Sequence, residues 1–348
     1  MRAFLCHIVP ESETIKFKSS QAANNFCYNL IRGNCFDESI SIVPISYKMR
    51  NHREDKINFI STYKKLRIAS YINLLIKNII VAYKLRKYET VWFYNLWFLD
   101  IITYIIVKYI LRKKVFIIFA DYTPPKKRYS IQNFFLHEIK KSNGIISLSG
   151  RLKFKHRNMS VIPGIINKKE IINNTSTLII SPRINILFSG TITHYTGSDL
   201  LQELINKNID AEIYISGKLE EPLNFEHNKN VHYLGYMKYN DYISLLKDKI
   251  HICLSLRNPE YKENENNFPS KILEYFSYNK LVISTIKYPE IDSANYISIN
   301  YNINELLKAI SSIQKEPYLL NNYSNIQFIN KLSTDHWKKQ INKIESHA

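Results

Sequence analysis

Short apolar runs alternate along this chain with longer segments whose apolar residues recur every three or four positions. The first pattern reads as buried strands, the second as helices laid against them. In the first half, the runs at 3–9, 39–45, 90–94, 115–120, 145–148 and 160–162 predict strands. Helical periodicity covers 19–32, 97–111 and 129–141, and a long amphipathic segment covers 62–87. Residues 167–182 then lose any period and gather Asn, Ser and Thr, as a linker does. The pattern restarts with strands at 184–188, 211–215, 231–234, 250–256, 281–284 and 296–299 and helices at 199–207, 241–249, 304–314 and 318–330. Such alternation predicts parallel sheets covered on both faces. The fold class is therefore α/β: two tandem Rossmann-like, doubly wound domains, 1–166 and 183–330, joined by the linker 167–182. Ligands of such sheets bind beyond the carboxyl ends of the strands, so the two domains are expected to face across one cleft. Residues 331–348 form a last helix, which Trp337 and Ile341 at i, i+4 dock back on the first domain.

Charge changes this picture only when it is divided. Of the formal +18, residues 1–170 hold +19 (30 Lys and Arg against 11 Asp and Glu) and residues 171–348 hold minus one (18 against 19). The excess gathers at 84–87, 112–114, 126–128 and 151–157. Such clusters favour an anionic surface by about 1 kcal/mol per residue near it. An ordinary solvated surface in a Lys-rich composition is the plainer reading. No nucleic-acid module is recognisable, so none is expected as a partner. The four cysteines form no C-x-x-C pair and read as reduced, buried thiols. Residues 1–9 end without a small-residue cleavage site, so no secretory signal is expected. The membrane-span candidate is 91–111, interrupted by Asn95, Asp100, Thr103 and Lys108, and it reads as a strand followed by a helix.

The stretch 268–285 points to a site. Pro269 pre-sets a first helical turn, Ile272, Leu273, Tyr275 and Phe276 supply the buried face, and Asn279 tolerates the left-handed conformation that ends a helix before the strand at 281–284. The helix start offers free N–H groups, Lys271 adds a full charge in the first turn, and Glu274 follows one turn later. A phosphate beside a carboxylate means a nucleotide whose ribose hydroxyls the carboxylate accepts. Without a ligand, Lys271 and Glu274 are a solvated i, i+3 pair.

Here the residues resemble the GT-B glycosyltransferases, specifically the retaining enzymes of family 4, over nearly the whole chain. Ile186-Leu187-Phe188-Ser189-Gly190 resembles the strand and glycine loop that meets the donor phosphates, and Gly197 the glycine before the next helix. Phe268-Pro269-Ser270-Lys271 with Glu274-Tyr275 resembles the F-P-S-K-x-x-E-Y signature of one branch. Val161-Ile162-Pro163-Gly164 resembles the sequence before the interdomain linker. Many members place Arg and Lys in the glycine loop, where Thr191 and Thr196 stand here. The signature branch instead has an Arg about a dozen residues upstream, which Arg257 fits. The family's two-glutamate motif requires Glu at 266, where Asn266 stands, with Glu265 and Glu263 close by.

The resemblance implies a retaining glycosyltransferase, of hexosyltransferase type, that moves a sugar from a nucleotide-diphosphate donor to a lipid-linked or polysaccharide acceptor. Its setting would be bacterial surface polysaccharide synthesis (capsule, O-antigen or exopolysaccharide). The donor would be bound by Gly190, Thr191, Ser270, Lys271, Glu274 and Arg257. Arg257, Lys271, the Gly190 backbone and the helix start would meet the charge developing on the leaving oxygens. Asp121, in Phe119-Ala120-Asp121-Tyr122 at the end of a predicted strand, orients the acceptor or caps a turn. His7 and His194 are further candidates. With no Asp-x-Asp, no metal and no cofactor beyond the nucleotide sugar is implied. The N-terminal domain would address an anionic membrane, making the protein cytoplasmic and peripheral on its inner face. A nucleotide-sugar epimerase on the same fold, or a non-catalytic basic protein binding membrane or nucleic acid, are the other readings.

Overall fold

The computed structural model describes residues 1–17, 19–120, 130–152, 154–166, 183–225 and 228–348. The chain forms two compact units, Met1–Ile165 with Leu332–Ala348, and Ile166–Lys331. The segment 167–182, read as the linker, lies outside the described residues.

The first unit is built on an eight-stranded sheet. Its strands are β1 (Arg2–Cys6), β2 (Glu38–Val43), β3 (His52–Glu54), β4 (Ile57–Ser61), β5 (Thr90–Tyr94), β6 (Lys114–Phe119), β7 (Gly144–Ser147) and β8 (Met159–Val161). Their order is β3-β4-β2-β1-β5-β6-β7-β8, and β3 alone runs antiparallel to its neighbour. The central strands are buried along their length, as expected of a parallel sheet covered on both faces. A single turn, α1 (Thr14–Phe17), leads to α2 (Gln21–Arg32), which is started by Ser20 accepting from the Ala23 N–H. Then come α3 (Arg67–Leu85), α4 (Ile101–Ile105), continued by a wider π turn over Ile106–Ile110, and α5 (Ile131–Lys140). The β3–β4 hairpin escapes the sequence pattern, because its first arm is the polar run His52-Arg53-Glu54 at a sheet edge and its turn residue Asp55 is left-handed at φ 51°. The helix expected over 97–111 starts only at Ile101, since Asp100 Oδ1 accepts the Trp97 N–H and holds residues 97–100 in a turn.

The second unit is a wholly parallel six-stranded sheet, β11-β10-β9-β12-β13-β14. Its strands are β9 (Ile184–Ser189), β10 (Ala211–Ser216), β11 (Val231–Gly235), β12 (Ile252–Ser255), β13 (Leu281–Ser284) and β14 (Ile297–Ser298). Between them run α6 (Ser198–Asn206), α7 (Tyr239–Asp248), α8 (Lys262–Glu265), α9 (Lys271–Ser277), α10 (Ile303–Lys315) and α11 (Ile326–Asn330). The helices α6 and α10 turn Leu200, Leu204, Leu306 and Ile310 into the core formed with β9 and β10.

The last helix, α12 (Thr334–Ser346), belongs to the first unit. Trp337 and Ile341 are fully buried there, and the Trp337 indole N–H donates to the Gly164 carbonyl at 2.8 Å. Arg2 pairs with Glu345 at 2.7 Å, and Glu345 also accepts from Thr90 and Trp92.

Candidate functional site

In the second unit the chain leaves β9 for β10 on one side and later returns to β12 on the other. The carboxyl ends of β9 and β12 therefore flank the topological switch point, where open α/β sheets bind ligands. Gly190 follows β9 at φ +136°, with open space where a side chain would begin. Its N–H, expected to face the leaving oxygens, instead donates to the Ser216 carbonyl at 2.9 Å, so what Gly190 contributes is room. The loop beyond it is braced by Thr193 and Thr196, whose hydroxyls and N–H groups cap each other reciprocally. Thr196 thus serves the loop, its hydroxyl 2.8 Å from the Thr191 carbonyl. Gly197, left-handed at φ +98°, lets this loop press on the end of β12: a Cβ there would lie 1.9 Å from the Leu256 carbonyl oxygen.

Across this edge, α9 begins with tight turns in which the Ile272 and Leu273 N–H groups reach the Pro269 and Ser270 carbonyls. Ser270 is exposed and makes no side-chain cap bond. Tyr275 and Phe276 are buried, Asn279 is left-handed at φ 53°, and β13 follows. On the open face of the first turn, Lys271 Nζ lies 3.6 Å from Glu274 Oε2 and 4.5 Å from the centre of the Tyr242 ring. The Tyr242 hydroxyl donates to the same Glu274 oxygen at 3.2 Å and accepts from Ser189 Oγ at 3.5 Å. Burial, with Tyr275 and Glu274 nearby, drives the Tyr242 phenol well above its ordinary range, so it remains a neutral donor. Glu274 Oε1 has no partner among the described residues. Tyr242 was missed by sequence reasoning because, with Leu246 at i, i+4, it reads as the core face of α7.

A second network starts from the same glycine loop. The Tyr195 carbonyl accepts from Asn264 Nδ2 at 2.6 Å, and Asn264 Oδ1 accepts from the Arg257 guanidinium at 2.9 Å. Arg257 is half-buried, anchored by a neutral amide, and no carboxylate pairs with it among the described residues. Asn266, at the end of the short helix α8, is 1% exposed, and neither of its amide atoms has a hydrogen-bond partner. Glu263 is exposed on α8 and Glu265 half-buried. His194 is held between Asp199 at 2.7 Å and Glu221 at 3.2 Å, pairings that raise its pKa, and it stands half exposed at the loop surface.

In the first unit, Asp121 and the basic run 126–128 lie outside the described residues; the Ala120 N–H just before them donates to Asn95 Oδ1 at 2.8 Å. At the carboxyl end of β1, His7 places Nδ1 3.2 Å from the Ile42 carbonyl and Nε2 3.1 Å from Asp100 Oδ2. Both ring nitrogens face acceptors, a pairing that only the imidazolium satisfies fully. Burial opposes the charge, but the Asp100 carboxylate prevails and raises the His7 pKa. With both nitrogens engaged, the ring joins β1, β2 and the turn after β5. Among the described residues no group of three His, Cys, Asp or Glu stands together as a metal site.

No protein-family profile and no curated protein matches the sequence. Solved structures do match along the full length. Anabaena HepE, solved in complex with UDP, superposes with a TM-score of 0.71 at 12% identity, covering 100% of both chains. The fold is that of the GT-B glycosyltransferases. The lipopolysaccharide outer core galactosyltransferase WaaB, in its apo form, superposes at 0.62 with 13% identity over 99% of this chain and 98% of its own. A UDP-N-acetylglucosamine 2-epimerase from Rickettsia bellii follows at 0.53, 14% identical, over 99% and 95%. At these identities the GT-B likeness establishes architecture, and the chemistry rests on the side chains just described.

Proposed function

We propose that this protein is a retaining glycosyltransferase that takes a sugar from a nucleoside-diphosphate donor and delivers it to a lipid-linked or polysaccharide acceptor. The setting would be bacterial surface polysaccharide synthesis at the cytoplasmic face of the membrane. One observation supports this above the others. The carboxyl end of β9 and the loop after it hold, through Ser189 and Tyr195, a carboxylate oxygen and a guanidinium that have no carboxylate or cation paired with them among the described residues. A nucleoside diphosphate needs that pair: Glu274 Oε1 accepts a ribose hydroxyl, and Arg257 with Lys271 balances the diphosphate. Ser270, exposed just before α9, and Thr191, next to Gly190 in the loop, complete the donor contacts. HepE, of the same fold, has been captured with UDP and with UDP and glucose, which favours uridine as the base to try first.

Breaking the anomeric C–O bond leaves negative charge on the β-phosphate oxygen, and cations already in place lower that barrier most. Attack from the leaving-group face, with the departing phosphate taking the acceptor proton, retains configuration without a second carboxylate. Asn266 supplies the buried amide that meets a sugar hydroxyl. Asp121 orients the acceptor. No metal enters this scheme.

The test is a panel of nucleotide sugars. A bound donor stabilises the fold by about 2.7 kcal/mol at a hundredfold excess over its dissociation constant, and positive donors are then offered with lipid-linked acceptors and the products resolved. Transfer with retained configuration is expected. Conversion of the free nucleotide sugar to its epimer, without transfer, would establish the epimerase reading instead, and the absence of any thermal shift would remove the donor site.

A further inference from the structure

We propose that α3 is an interfacial helix, lying flat on an anionic bilayer with one apolar face among the lipid chains. The inference deepens the membrane setting above and rests on it for its purpose, though not for its geometry. α3 runs 19 residues, about 28 Å at 1.5 Å per residue, and is apolar enough by length and composition to cross a membrane. It does not need to cross one. Leu74, Val81, Ala82 and Leu85 turn one face into the core of the first unit. The opposite face repeats at i, i+4, i+7, i+11 and i+15 through Ile68, Ile72, Leu75, Ile79 and Tyr83, all exposed, Ile68 at 76% and Ile79 at 50%. With Tyr71, Ile76 and Ile80 also exposed on either side of this line, the apolar arc covers about half the circumference at 3.6 residues per turn. Water-facing helices of globular proteins place charge there, and an apolar face of this size marks a surface with a partner.

Charge selects the partner. No Asp or Glu occurs between Asp55 and Glu89, whereas Lys64, Lys65 and Arg67 stand at the start of the helix and Lys84 and Arg86 at its end. None of these five has a carboxylate partner among the described residues. A second copy of this chain would bring the same cations against them, while an anionic leaflet meets apolar face and basic ends together. Aromatic residues extend the surface as they do at bilayer interfaces. Trp97 and Phe98 are about half exposed in the turn after β5, with Phe98 edge-on to Tyr71 at 6.2 Å. That turn is the one held by Asp100, at the carboxyl edge of the sheet. A lipid-linked acceptor would therefore reach the first unit at the edge where its ligands are expected.

The protein contains three tryptophans, and Trp92 and Trp337 are fully buried, so a change in emission on contact with lipid reports on Trp97. The full-length protein is mixed with vesicles of phosphatidylcholine alone or with added phosphatidylglycerol, and flotation and emission are read. Expected are flotation with the anionic vesicles, a blue shift quenched by brominated lipid, and residual binding at about 1 M salt, where the Debye length is about 3 Å. The double variant Ile72→Glu, Ile79→Glu should lose more than about tenfold in partitioning, because two isoleucines leave the lipid phase. Its donor-induced thermal shift should be unchanged. No flotation and no shift at low salt would overturn the proposal, as would binding that the variant leaves intact and salt abolishes. A dimer that the variant dissolves, without vesicle binding, would show that a second copy covers the face. Vesicle binding by a protein that ignores every nucleotide sugar would sink the enzyme reading and leave this one standing.

Discussion

The Tyr242 hydroxyl donates to Glu274 Oε2 at 3.2 Å, fixing one oxygen of a carboxylate whose other oxygen has no partner among the described residues. A hydrogen bond to a charged acceptor contributes about 1.5–3 kcal/mol. Glu274→Ala is therefore expected to weaken donor binding by at least about tenfold with little loss of stability. Tyr242→Phe keeps the carboxylate but frees it to turn, so it should weaken donor binding by less than Glu274→Ala does. Isothermal titration with the donor checks both, and unchanged affinity in Glu274→Ala would remove Glu274 from the site.

Arg257 and Lys271 are expected to act most strongly when the leaving group carries its full charge. Arg257→Ala and Lys271→Ala should each lower kcat more than they raise the donor dissociation constant, a difference that comes from interactions strengthened in the transition state. Steady-state kinetics beside direct binding separates the two, and equal losses would assign both residues to holding the donor.

Activity is expected to survive EDTA, because the guanidinium and the ammonium supply the charge that a divalent ion would otherwise bring. Assays with and without chelator decide this. A loss restored by Mg²⁺ or Mn²⁺ would overturn the metal-free scheme.

His7 gives a pH dependence of definite sign. Its pKa is raised in the folded protein above the ordinary 6.5, against burial, by Asp100. The stabilisation is thus fully present below pH 6.5 and is lost as pH rises through the raised folded value. His7→Gln should flatten the fall in Tm over that upper window while leaving donor affinity alone. A Tm profile with the same slope in both proteins would remove the ion pair from the stability of the first unit.

Much of this was legible because buried parallel strands write themselves as apolar runs: 184–188, 211–215 and 281–284 fall within a residue or so of β9, β10 and β13. Pro269 and Asn279 marked the ends of α9 through backbone preferences that act locally. What the sequence hid depends on distant partners. Tyr242 carries an apolar ring and a polar tip, and only the fold shows that the tip reaches Glu274. The Gly190 N–H looked free until β10 brought Ser216 to it. The Asn264 bridge joins residues 69 apart. The face of α3 was read as amphipathic, but whether its apolar side is covered is a question no periodicity answers. Asp121 lies outside the described residues, and its role stays with the proposal.

Because α12 completes the first unit, the second is an insertion within it: the chain departs after Ile165 and re-enters at Leu332. During synthesis the inserted unit has all its strands before the surrounding one has its last helix. Trp337, Ile341 and Ile344 must therefore find a partly assembled sheet whose other side of the fit, around Gly164, was made some 170 residues earlier. A nascent chain stalled before residue 332 would hold a finished second unit tethered to an open first one with its hydrophobic seat for Trp337 bare. Quality control acting on this protein would meet the first unit, and a fragment made of residues 1–165 alone would be an aggregation-prone reagent.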